Sequence, residues 1–204
     1  MGKKEAPISH LQQFLPPDTY DAVLNYLKFY HVHLTIAQNR KSILGDYRHR
    51  TTNYNHRISV NGSLNKYSFL ITLLHELAHL LTFEKFGNKV FSHGKEWKHI
   101  FGKLLEQFVT QEVFPADIEH ALLRSLTNPA ATSCADEYLL KVLKNYDSRS
   151  NGFVFVESIA EGELFKTSDG KVFIKGERLR KRYRCIEVGT KRVYLFSSVY
   201  EVEK

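Results

Sequence analysis

The 204-residue chain has only two cysteines, Cys134 and Cys185. That is too few for a disulfide-held secreted mini-protein or for a four-cysteine zinc ribbon. Long apolar runs are also missing. The most apolar stretch, Phe69 to Leu81, is interrupted by His75, Glu76 and His79 and falls short of the roughly 20 residues a bilayer span requires. The segment Met1-Gly2-Lys3-Lys4-Glu5-Ala6 lacks the apolar core of a signal peptide, and Ala6 stands where a myristoylation signal has Ser or Thr. No internal repeat or low-complexity tract occurs. These absences lead us to expect a cytoplasmic protein of a reducing compartment with no membrane partner.

Apolar material is nonetheless plentiful. Hydrophobic residues make up 43% of the chain, which supports a packed core and excludes wholesale disorder. The length suits one domain with a small appendage. The net charge of +7 is local: residues 171–192 hold nine basic and two acidic side chains, so the rest of the chain is neutral. Within that window Arg178, Arg180, Arg182 and Arg184 alternate with other residues. Period two places them on one face of a strand, about 6.6 Å apart. That spacing suits successive phosphates, so we expect this strand to contact DNA or another nucleic acid; the bland reading is a solvated face. Arg40, Lys41, Arg48, Arg50 and Arg57 form a second basic cluster.

Residues 1–147 read as mostly helical. Asp18 is positioned to cap a helix carrying Tyr20, Val23, Leu24 and Leu27 on one face. His31–Ala37 and His56–Asn61 read as strands, with Leu44-Gly45-Asp46-Tyr47 as a turn and hairpin edge between them. Lys66–Phe86 is apolar nearly all round, the mark of a buried helix, and Gly87 ends it. Further helices are expected over Gly94–Phe108, Pro115–Leu126 and Ala135–Tyr146, the last with Ser133 and Asp136 at its start. The polar residues 148–152 look like a linker. Residues 153–204 then switch to short alternating segments: Phe153–Val156, Glu163–Thr167, Lys171–Ile174, Arg178–Glu187 and Arg192–Tyr200, with a turn at Asp169-Gly170. The expectation is an α+β protein: a mostly helical domain with a small antiparallel sheet, followed by a small all-β unit.

The chemistry concentrates in His75-Glu76-Leu77-Ala78-His79, an H-E-x-x-H motif inside a helix. Residues four apart share a face, so both imidazoles can reach one metal ion, with Glu76 beside them to take a proton from water. On a helix otherwise lined by Leu, Ile and Phe, these polar groups are costly to bury without partners, and a zinc ion is such a partner. The bland alternative is a pair of buried histidines satisfied by hydrogen bonds. A catalytic zinc takes a third protein ligand and leaves one position open. His93, 14 residues after His79 and beyond the turn at Gly87-Asn88-Lys89, is the leading candidate; His99, Glu96, Glu106, Glu112 and Glu119 are the alternatives. His10, His31, His33, His49, His56 and His120 have no matching spacing and read as ordinary.

His75-Glu76-Leu77-Ala78-His79 followed by His93-Gly94-Lys95-Glu96-Trp97 resembles the SprT-like metalloproteases, the family that includes the DNA-associated protease Spartan. Leu44-Gly45-Asp46-Tyr47 and Ile58-Ser59-Val60-Asn61 are similar to the strand region ahead of that family's active-site helix. The likeness covers about residues 18–110. It implies a zincin-like metalloprotease domain with one catalytic Zn²⁺ on His75, His79 and His93, Glu76 as general base, and protein substrates bound to DNA, as in the repair of DNA–protein crosslinks. The tail departs from the family. Arg182-Tyr183-Arg184-Cys185-Ile186 looks like the remnant of a zinc ribbon with one cysteine where pairs are expected. For the oxyanion, Tyr47, Arg48 and His99 are candidates. The competing reading is a zinc-stabilised nucleic-acid-associated protein without proteolytic turnover.

Overall fold

The structure, a computed structural model, describes residues 8–37, 43–125, 136–147 and 152–204. Arg40, Lys41, Ser133 and Cys134, singled out above, lie outside these residues. The chain divides into two compact units, Met1–Asp147 and Ser148–Lys204.

The first unit is α+β. A 3-10 segment, Ile8–Phe14, leads to α1 (Tyr20–Phe29) and three strands, β1 (His33–Ala37), β2 (Gly45–Arg48) and β3 (Arg57–Asn61). Four helices follow: α2 (Lys66–Phe86), α3 (Lys95–Thr110), α4 (Ala116–Ser125) and α5 (Glu137–Lys144). Thr19, not Asp18, precedes α1; its hydroxyl donates to the Pro16 carbonyl, and Asp18 instead sits at φ 62° in the chain reversal. The sheet is mixed, with order β1-β3-β2. β2 runs antiparallel to β3 as expected, but β1 pairs with β3 in parallel. That leaves β2 with a single strand neighbour among the described residues.

Alternation along these strands sends Leu34, Ile36, Ile58 and Val60 to one face together with Gly45 and Tyr47. α2 packs on this face and also meets α3, which explains why it is apolar all round. Phe69, Leu70, Ile71, Leu73, Leu74, Leu77 and Leu80 are all essentially inaccessible. Burial of each such side chain is worth about 1.5–3 kcal/mol. The Asn65 side chain caps α2 by accepting the Ser68 N–H at 2.9 Å, and its amide donates to the Leu143 carbonyl and to Asp147, tying α2 to the end of α5. Gly87 closes α2 at φ 59°, a conformation that β-carbons disfavour. Asp136 caps α5, accepting from the N–H groups of Tyr138 and Leu139.

The second unit is a six-stranded antiparallel sheet, order β4-β9-β5-β6-β7-β8. Its strands are β4 (Phe153–Phe155), β5 (Leu164–Lys166), β6 (Val172–Leu179), β7 (Arg182–Glu187), β8 (Val193–Ser197) and β9 (Glu201–Glu203). Its core is Val156, Ile159, Phe165, Phe173, Cys185, Phe196 and Val202. The Cys185 thiol is therefore a core side chain. Gly170 takes φ 86° in the β5–β6 turn, as Asp169-Gly170 predicts.

The arginine stripe does not exist as one strand. The chain reverses at Arg180-Lys181, with Arg180 at φ 50°, so Arg178 ends up in β6 and Arg182 and Arg184 in β7. Arg178 pairs with Tyr183 and Leu179 with Arg182. Opposed residues of an antiparallel pair share a face, so Arg178 lies on the Tyr183 and Cys185 side, and Arg182 and Arg184 lie on the other. The expectation failed because period two persists through a tight hairpin that carries no Gly, Asn or Asp to mark it.

Candidate metal centre

α2 presents His75 and His79 one turn apart, and the turn after Gly87 brings His93 back to them. The Nε2 atoms of His75 and His79 lie 3.2 Å apart, and those of His75 and His93 3.4 Å apart. Tetrahedral coordination with metal–nitrogen bonds near 2.05 Å separates ligand nitrogens by about 3.3 Å. Among the described residues, His75, His79 and His93 form the one group of His, Cys, Asp or Glu side chains spaced to hold a metal. Of the alternatives for third ligand, none of His99, Glu96, Glu106, Glu112 and Glu119 joins that group.

The electrostatics suit a cation. Burial, and then the neighbouring imidazoles, push His75 down to about 3; burial and His93 push His79 down to about 4. His93 is lowered by burial and by Lys98. All three rings are neutral at pH 7, each with an imine lone pair. Neutral histidine is the ligand form, and three lone pairs converging at this spacing fit a zinc-type ion.

Glu76, between the two α2 histidines, is buried, and its carboxyl is pushed up to about 8 by burial, then by Asp46. Its carboxylate stands against β2: a β-carbon on Gly45 would collide with Glu76 Oε1 and lie 2.8 Å from Thr72 Cγ2. Gly45 is thus the residue that lets the helix carboxylate pack directly against β2. Trp97, the last residue of the second motif, is fully buried beneath the imidazoles. Its ring lies 4.7 Å from His75, 5.2 Å from His79 and 4.7 Å from His93, centroid to centroid, with Phe101 behind it.

Trp97 closes the motif His93-Gly94-Lys95-Glu96-Trp97, four residues after His93, but the sequence does not show that its ring lies against all three imidazoles. Sequence reasoning missed Gly45 and His56. Nothing in the local sequence around either residue points across to α2. Of the oxyanion candidates, Arg48 pairs with Asp46 at 3.0 Å on the opposite face of the sheet, His99 is exposed, and the Tyr47 hydroxyl is hydrogen-bonded to His56.

An α+β unit with H-E-x-x-H on a buried helix and a third imidazole beside it carries a group that could hold a metal ion, the arrangement of a metallopeptidase-type domain. Residues 18–120 match the model of the SprT-like family, half of the chain, and the chain belongs to that family. No curated protein and no solved structure matches it. Among the described residues, no helix is long and apolar enough to cross a membrane.

Proposed function

We propose that the chain is a zinc-dependent endopeptidase, with His75, His79 and His93 as ligands and Glu76 as general base. The observation that carries this reading is the joint placement of three converging imidazole nitrogens and a buried carboxylate packed against β2, the outer strand of the sheet among the described residues. The bound zinc supplies Lewis acidity, making a water acidic near neutral pH and polarising the scissile carbonyl. Glu76 takes the proton from the attacking water and delivers it to the leaving amine. An extended substrate adds alongside β2, which has one strand neighbour, β3, among the described residues. Gly45 leaves room there for both substrate backbone and carboxylate. The substrates we propose are proteins held on DNA, with the basic β6–β7 hairpin as the nucleic-acid contact.

The rival reading, a zinc-stabilised binding protein without turnover, leaves Glu76 unexplained. A structural site gains nothing from a buried carboxyl packed against β2, which costs solvation. The test is a protease assay on a DNA-bound protein, with and without single- and double-stranded DNA, comparing wild type with Glu76→Gln. Glu76→Gln should keep one zinc per chain and lose cleavage by about 10²–10⁴-fold. A His75→Ala, His79→Ala double variant should lose the metal. Equal activity of wild type and Glu76→Gln would rule Glu76 out as the base.

A further inference from the structure

Beside the three ligands lies a buried polar chain that the proposed chemistry does not use. His56, just ahead of β3, is 2% exposed. Its Nδ1 is 2.9 Å from the Tyr47 hydroxyl and 3.3 Å from the Arg50 backbone nitrogen. Its Nε2 is 3.2 Å from Glu84 Oε1, and Arg50 Nε reaches the same carboxylate oxygen at 3.2 Å. The protons in this chain can be assigned. A backbone N–H only donates, so Nδ1 accepts and carries no hydrogen. The Tyr47 hydroxyl then donates to Nδ1, and the ring proton is left on Nε2, which lies 3.2 Å from Glu84 Oε1 without a hydrogen bond between them. Burial lowers the His56 pKa more than Glu84 raises it, consistent with a neutral ring. The phenol proton is thus committed to His56 and is not available to a substrate oxyanion.

What Tyr47 does touch is His79. The two rings are parallel, 4° apart in plane with centroids 6.3 Å apart. The His56 ring is stacked on the same phenol, 5.8 Å away and tilted by 20°. Three near-parallel rings, His56, Tyr47 and His79, therefore lie in series and end on a ligand, and beside the far ring, 3.2 Å from it, stands the carboxylate of Glu84, on the ligand helix itself and five residues after His79. We propose that Glu84, His56 and Tyr47 are positioning residues that fix the ring plane of His79 and so set the affinity and geometry of the metal centre. Metal ligands are oriented by groups outside the coordination sphere, and loss of such groups costs about 10–100-fold in affinity. Here the neighbour is a parallel ring rather than a hydrogen-bond partner, so it does not occupy the ligand's nitrogen.

This rests on the reading of His79 as a zinc ligand but not on proteolysis. Zinc affinity is measured by competition with a chromophoric chelator, and ligand geometry by the visible absorption of the cobalt(II)-substituted protein, for wild type, His56→Leu, His56→Gln and Tyr47→Phe. His56→Leu is expected to weaken zinc binding by at least about ten-fold and to shift the cobalt bands. His56→Gln, which can accept from the phenol and donate to Glu84, is expected to recover most of both. Tyr47→Phe keeps the ring but loses its anchor, and is expected to lie between wild type and His56→Leu. A folded His56→Leu with affinity within two-fold of wild type and an unshifted cobalt spectrum would overturn the proposal. If His56→Leu does not fold, Tyr47→Phe decides in the same way. Affinity loss in a protein that cleaves nothing would sink the peptidase reading alone; unchanged affinity in an active peptidase would sink only the positioning chain.

Discussion

Gly45 and Glu76 are in contact across the β2–α2 interface, and the contact leaves no space for a methyl group. The carboxylate lies between the buried helix it grows from and the half-buried strand β2. Gly45→Ala must push Glu76 Oε1 away or shift β2. In either case the base leaves its position relative to the imidazoles, while the imidazoles themselves stay on α2 and the loop after it. The expected result is a fall in kcat of at least about ten-fold, since misplacement by an ångström can cost 10²-fold, with zinc content unchanged. Metal analysis and steady-state kinetics on the same preparation check it. Loss of metal in Gly45→Ala would show that β2 braces the ligands rather than the base.

The buried ionisable groups give the metal-free protein a defined pH dependence. His75 and His79 titrate at about 3 and 4 when folded, against 6.5 when unfolded, so between 6.5 and 4 the unfolded chain takes up protons that the folded chain refuses. Stability is lost as pH falls through that window. Glu76 works in the opposite direction. Its carboxyl titrates at about 8 when folded against 4.5 when unfolded, so between 4.5 and 8 the folded state holds the extra proton and stability is lost as pH rises. Two histidines outweigh one carboxyl below 6.5, and the carboxyl alone acts above it, so these groups place the maximum near pH 6.5. In Glu76→Gln the decline above that pH should vanish, leaving the metal-free variant more stable than wild type at pH 7.5–8 by about 4 kcal/mol. Denaturant titrations from pH 5 to 8 in the presence of chelator measure this. A variant no more stable than wild type at pH 8 would mean that Glu76 is ionised in the metal-free fold.

Trp97 touches all three ligands and is fully buried, so its truncation combines a cavity with the loss of the surface on which the imidazoles rest. Trp97→Ala should destabilise the first unit by about 3–5 kcal/mol and release the metal. Trp97→Phe removes less volume, and is expected to keep the fold while weakening zinc binding. Thermal unfolding with and without added zinc separates the effects. If Trp97→Phe binds zinc as wild type does, the indole is a core side chain and nothing more.

The site was legible in the sequence to the extent that it is local. His75, Glu76 and His79 follow from helical periodicity, and His93 from the length of the turn that α2 needs before α3 can pack beside it. Gly45, Tyr47 and His56 were not legible as a group, because what joins them to α2 is the pairing of β2 with β3 and the packing of that sheet on the helix. The parallel β1–β3 pair was hidden for the same reason: strand direction is set by connections, not by alternation. Buried His56 looked like five other histidines until its neighbours were known. In the tail five of the six strands were visible, but β9 (Glu201–Glu203) was not, and the boundary between β6 and β7 was misplaced. Arg180 and Lys181 form a turn with none of the residues that usually announce one, and this split a row of arginines into two faces.

That split changes what the basic tail can do. A single strand face would present Arg178, Arg180, Arg182 and Arg184 together to a phosphate backbone, and removal of any one would weaken binding equally. In the hairpin, Arg180 and Lys181 are at the exposed tip, Arg178 donates through Nε to the Arg180 carbonyl at 3.1 Å, and Arg184 lies on the face opposite Arg178. If the hairpin contacts nucleic acid, the tip does so. Arg180→Ala with Lys181→Ala should lower the slope of log affinity against log salt by up to about two, one for each phosphate contact removed, and Arg184→Ala should leave it unchanged. Fluorescence anisotropy with a labelled oligonucleotide across a salt series reads both slopes. A loss from Arg184→Ala about half that of the tip variant, which removes two charges to its one, would favour a broad electrostatic field over a defined contact, because only a field is indifferent to which face a charge occupies.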